Sequence, residues 1–345
     1  YNWFKREETP DAPMFTPYIG DSFTDETIPM FNTKTPYTEL GYSGTLLAAK
    51  TLEESNLRLL TTQNITPEFN FTLFYRRLGS RGMLKNEATD HRTTTTQGNS
   101  LGKRYFANFG TIRQRVERQE NGGIQDEFWI RDTIIDSKAI DVNLASATNT
   151  YKRRTYFIHQ SLAVPMNFFR KDKDSLALGE GTMAHIGHSG EFTTYNKLYV
   201  DEIGESDTYG RNFYFNKFYL NRTQSSDELA VRNFENRLFI KLQPYAPDAL
   251  LSKVNAGVGY QILSTYSFNP EKYLSGKTYD TQHNIYVYGG ASGQLRSFIA
   301  WNADADYYLA GYRMFDFDIN AKLRLSVYPI DQGIQESAKS GPLAG

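Results

Sequence analysis

The sequence predicts an all-β protein: a transmembrane, antiparallel, up-and-down β-barrel, expected to be only part of a longer barrel chain. Three observations predict it. Candidate strands succeed one another from Pro36 to about Ile330, with no convincing helix of four turns among them. Aromatic residues make up 14% of the chain while the hydrophobic fraction is only 39%, below the roughly 45–50% of soluble domains. One segment near the C-terminal end alternates oily and charged side chains over more residues than a soluble strand usually has. Few aliphatics with many aromatics suits a wall that sets one face in lipid and the other in water. A disordered chain would lack the aromatics.

Residues 1–35 hold Pro10, Pro13, Pro17 and Pro29 among acidic and turn-forming residues. Proline at that density prevents regular helix and central strand. The segment reads as an irregular lead whose place is open between a luminal plug, a periplasmic lead-in and a surface loop. Residues 36–330 read as barrel strands with a long loop near 118–150. Phe69, Phe71, Leu73 and Tyr75 alternate with Asn70, Thr72, Phe74 and Arg76. Leu238, Ile240 and Leu242 alternate with Arg237, Phe239 and Lys241. Val254, Ala256, Val258, Tyr260 and Ile262 alternate with Asn255, Gly257, Gly259 and Gln261. Ile299, Trp301, Ala303 and Ala305 oppose Phe298, Ala300, Asn302 and Asp304. Further candidates lie near 38–48, 55–65, 91–98, 103–117, 151–168, 183–200, 211–222 and 282–291.

The clearest strand runs from Met314 to Tyr328. Phe315, Phe317, Ile319, Ala321, Leu323, Leu325 and Val327 share one face; Asp316, Asp318, Asn320, Lys322, Arg324 and Ser326 share the other. That exceeds the roughly 9–11 residues a tilted strand needs to cross a bilayer core. The lipid-facing candidates are therefore Phe315, Phe317, Ile319, Leu323, Leu325 and Val327. The lumen-facing candidates are Arg76, Arg237, Lys241, Asp316, Asp318, Lys322 and Arg324. Rings of mixed charge on such a face can tune ion selectivity or brace the lumen. Short joins are expected at 244–248 and 304–306, and long ones near 120–149 and 269–282. Residues 331–345 read as a flexible loop or a truncated end.

The charge balance is 38 Lys+Arg against 39 Asp+Glu, which argues against nucleic acid as a partner. With no cysteine, disulfide scaffolds, zinc-thiolate sites and cysteine nucleophiles fall away. His185 and His188 would point to opposite faces of a strand, and no third ligand stands near, so no metal is expected. His188 and Ser189 also face apart, which weakens a lipase reading. Asp304, Asp306, Asp316 and Asp318 could attract calcium, but water-facing charge accounts for them as well. No phosphate loop is present. The expectation is a non-enzyme without cofactor.

Four segments carry a family resemblance: Phe31-Asn32-Thr33-Lys34-Thr35-Pro36-Tyr37-Thr38-Glu39-Leu40, Thr61 through Phe71, Arg118-Gln119-Glu120-Asn121-Gly122-Gly123-Ile124, and Thr155-Tyr156-Phe157-Ile158-His159-Gln160. In order and spacing they resemble the porins described from Bacteroidota outer membranes, over about residues 31–168. The resemblance implies an outer-membrane β-barrel of a Gram-negative bacterium, with an open or plugged lumen. It supplies no set of functional residues. The expected function is a passive or plugged pore for small solutes. The alternative is a structural barrel subunit of a larger outer-membrane assembly, with no open pore. A soluble carbohydrate-binding module is the third reading. Expected partners are outer-membrane lipid and other outer-membrane proteins of an assembly.

Overall fold

The computed structural model describes residues 12–15, 23–24, 27–45, 54–126, 136–165, 183–202, 224–243, 250–268, 276, 278–295 and 298–326. These form twelve strands: β1 Tyr37–Gly44, β2 Glu54–Thr66, β3 Phe69–Ser80, β4 Thr89–Leu101, β5 Tyr105–Gln119, β6 Thr148–Pro165, β7 Met183–Glu202, β8 Gln224–Gln243, β9 Lys253–Ser267, β10 Asp280–Leu295, β11 Ile299–Gly311 and β12 Phe317–Leu325. Short 3-10 turns occur at Pro13–Phe15 and Ser137–Ala139, and no α-helix occurs among the described residues. Each strand neighbours the next in one sheet, in the order β1 to β12. This is the strand order of an up-and-down antiparallel barrel sheet, and the all-β class stands as the sequence predicts it.

Two compact units divide the chain. The first comprises Tyr1–Ser161, His188–Arg237 and Tyr260–Asn284; the second comprises Leu162–Gly187, Leu238–Gly259 and Ile285–Gly345. Within the first, the register pairs Arg76 with Arg58 and Thr93, and Thr72 with Thr62 and Gln97. Cross-strand partners share a face, so the register assigns every side chain of β1–β5 to one of two faces. Within the second, Tyr286 is buried, 5.2 Å from Tyr308 between ring centroids. A Cβ at Gly259 would overlap the Tyr286 ring, so glycine there makes room for an aromatic on the next strand.

The strand expected from Met314 to Tyr328 is shorter than the alternation suggests. Residues 312–315 form a turn, and Phe315 has φ 72°. A left-handed residue ends the alternation there, so Phe315 and Asp316 precede β12 instead of lying on it. Val327 lies outside the described residues, as do 331–345 and the candidate strand near 211–222. Asp304 and Asp306, expected in a join, sit inside β11. Their partners on β12 are Asn320 and Asp318. Aspartate suggests turns, but here it alternates with alanine at strand period.

Candidate functional site: a buried polar face

Burial runs opposite to that of a water-soluble sheet. The face of β2–β5 that holds Thr62, Asn70, Thr72, Thr93, Thr95, Gln97, Asn99, Asn108 and Gln114 is buried; Gln97 and Asn99 are each 1% exposed. The opposite face exposes Phe71 and Phe109, and on the adjoining β1 it exposes Leu40, which pairs with Leu59. On β6, Arg153, Thr155 and Phe157 are buried while Tyr156, Ile158 and Leu162 are exposed. On β8, Leu238 is 58% and Ile240 54% exposed, while Phe239 between them and Lys241 after them are less so. Soluble proteins place polar groups outward.

Many of the buried groups hydrogen-bond to one another, which offsets the cost of removing them from water, although Thr95 Oγ1, Gln97 Oε1 and Asn99 Oδ1 have no hydrogen-bond partner among the described residues. Asn70 Nδ2 donates to Asn64 Oδ1 at 2.8 Å, and Gln97 Nε2 to Asn108 Oδ1 at 2.8 Å. Gln114 Nε2 lies 2.9 Å from His91 Nε2. Thr193 Oγ1 donates to Thr155 Oγ1 at 2.8 Å. Arg153 is 3% exposed, and its Nε donates to Thr155 Oγ1 at 3.3 Å. Its Nη1 has no hydrogen-bond partner among the described residues.

Part of the proline-rich lead lies against this face. Phe15 packs with Tyr195 and Val231, and Ile28 with Ile112 and Phe157. The Phe23 ring stands 4.9 Å from Phe74. Asn99 Nδ2 donates to the Phe31 carbonyl at 3.1 Å, Thr33 N to Asn64 Oδ1 at 3.1 Å, and Asn64 Nδ2 to Asn32 Oδ1 at 2.7 Å. A cavity of about 50 Å³ remains between lead and sheet, lined by Ile28, Phe31, Arg58, Leu60, Thr95 and Gln97 among others.

The lumen-facing candidates are spread along the sheet. Arg76 faces Arg58 across β2 and shares the face of Thr72. The Arg237 guanidinium stands 3.1 Å from both Glu235 carboxylate oxygens. Lys241 is half-buried. Asp316 lies 3.4 Å from Arg313 Nε in the turn before β12. Asp318, Lys322 and Arg324 face Asp306, Asn302 and Ala300. The lipid-facing candidates Phe317, Ile319, Leu323 and Leu325 share the other face with Tyr307, Ala305, Trp301 and Ile299. All of β12 is exposed, so burial does not distinguish its two faces.

Sequence reasoning missed most of the buried polar set. It also missed Ser189, whose Oγ lies 2.7 Å from His159 Nδ1. The histidine weighed beside Ser189 was its neighbour in sequence, His188, which instead reaches Asn236 Oδ1 at 3.0 Å. Strand pairing brings together residues that sequence proximity does not.

A sheet with amides and hydroxyls hidden on one face and oily residues shown on the other defines a porin-like protein. The family model described as Putative porin matches residues 2–342, nearly the whole chain, and the chain belongs to that family. The match reaches well beyond the 31–168 region where sequence motifs carry the resemblance. No curated protein matches the chain.

Proposed function

We propose that this protein sits in the outer membrane of a Gram-negative bacterium and carries a pathway for small solutes along its buried polar face. The inverted burial carries the reading. Hydrocarbon tolerates Leu238 and Ile240 at the surface, whereas Gln97, Asn99 and Arg153 need a hydrated or hydrogen-bonded interior. The lead acts as a plug that narrows the pathway, because Phe15, Ile28 and Asn32 make their contacts on that face.

Arg153 would give the pathway a preference for anions, because a guanidinium with an unused donor attracts negative solutes. Purified, folded protein in a planar bilayer is expected to conduct, with a reversal potential displaced toward anions. Arg153→Gln is expected to lower the anion-to-cation permeability ratio about two-fold or more. An unchanged ratio would remove Arg153 from the pathway. The alternative, a structural subunit with no open pore, is favoured by the same lead contacts. Folded, inserted protein without any conductance would decide for it.

A further inference from the structure

The face opposite the buried polar one carries a row of arginines near the ends of β3, β4 and β5, next to the 81–88 join. Arg77 stands directly across from Arg92, and Arg92 directly across from Arg115. The next row toward the middle of the strands holds Tyr75, Thr94 and Arg113. On the neighbouring β6, Lys152 and Arg154 alternate with buried Arg153 and Thr155, and so lie on the same outward face. The bond from Tyr105 Oη to Gln160 Oε1 at 2.9 Å links the outward faces of β5 and β6.

Two carboxylates answer these six cations. Asp90 Oδ2 lies 2.9 Å from Arg77 Nη2 and 2.7 Å from Arg92 Nη2; Glu117 Oε2 lies 2.6 Å from Arg115 Nη2. Among the described residues, Arg113, Lys152 and Arg154 have no ion-pair partner. Like charges directly opposite one another destabilise a sheet, so the row calls for an external anion. Along the same outward face, Leu73, Phe71 and Phe109 follow the arginines. Phe71 is six residues from Arg77, about 20 Å along the strand.

We propose that this outward face binds the phosphorylated headgroup of an anionic membrane lipid. The inference rests on the membrane placement proposed above. Guanidinium forks match phosphate oxygens two at a time, and Phe71, Leu73 and Phe109 offer acyl chains a surface directly below. A free phosphate would have no use for that apolar continuation, which is why the assignment is to lipid.

The test uses the full chain in a non-ionic detergent, read by native mass spectrometry with added diphosphorylated lipid A. The wild type is expected to retain the lipid, and the combined variant Arg92→Gln, Arg113→Gln, Arg154→Gln to lose it by about tenfold or more, with the difference shrinking in high salt. The same glycolipid without phosphates is expected to bind both proteins equally weakly. Equal retention by wild type and variant, or tight binding of the phosphate-free lipid, overturns the proposal. Displacement of the lipid by micromolar inorganic phosphate overturns the assignment to lipid. Arg113→Gln alone serves if the combined variant does not fold, since no pairing is lost. Insertion of the wild type into vesicles is scored separately. Failure to insert sinks the membrane placement, whereas insertion without phosphate preference sinks only the lipid site.

Discussion

Leu238→Arg is expected to destabilise the vesicle-inserted protein by about 2–4 kcal/mol, the cost of a lipid-facing arginine near the bilayer midplane. Leu238 is 58% exposed and lies in the middle of the outward run Phe234, Leu238, Ile240 and Leu242 on β8. On a water-facing surface the same change would fall within about 0.5 kcal/mol of zero. Leu238→Phe, which keeps the position oily, is expected to be nearly neutral. Urea unfolding of vesicle-inserted protein checks both variants against the wild type. A neutral arginine at this position would mean that water covers the face.

Tethering the proline-rich lead to the sheet is expected to change conductance. The chain has no cysteine, so a pair placed at Asn32 and Asn64, whose side chains now hydrogen-bond at 2.7 Å, would be the sole thiols. A short, reducible thiol crosslinker joining them should hold conductance at its lowest level. Reduction should raise it several-fold or increase the frequency of open events, because the lead then leaves the polar face part of the time. Conductance that ignores both crosslinking and reduction would place the solute pathway elsewhere. The contacts of Phe15 and Ile28 anchor the lead through oily side chains, so the uncrosslinked protein should favour the narrowed state.

How much of this was legible in the sequence differs from strand to strand. β12 alternates so regularly that its residues divide into two sets in the sequence alone, and each set pairs with one set on β11. Its beginning could not be read, because Phe315 continues the pattern by residue type while its backbone turns away. β4 is the reverse case. Its sequence, Thr-Asp-His-Arg-Thr-Thr-Thr-Thr-Gln-Gly-Asn-Ser-Leu, has polar residues on both faces, so hydropathy gives no phase. Yet its His91, Thr93, Thr95, Gln97 and Asn99 form the most continuous buried polar row. The register with β3 supplies the phase that composition lacks.

The candidate site was less legible than the fold. Arg76 and Arg237 were visible as charges opposite apolar positions. Gln97, Asn108, Gln114 and Arg153 were not, because what distinguishes them is burial against neighbouring strands. Proline content indicated that the lead would not form a strand, but it could not place Phe31 beside Asn99 or Phe23 over Phe74. Those contacts join segments far apart in the chain, and no local pattern encodes them.

The claim beneath these expectations is that the oily face of the sheet meets hydrocarbon. Single nitroxide labels at consecutive positions Asn70, Phe71, Thr72 and Leu73 of β3, in vesicle-inserted protein, test it most directly. Molecular oxygen concentrates in the bilayer interior, so its collision rate should peak at 71 and 73 and fall at 70 and 72, the period of a strand. Equal rates at all four, or preferential access of a water-soluble nickel chelate to 71 and 73, would contradict the account.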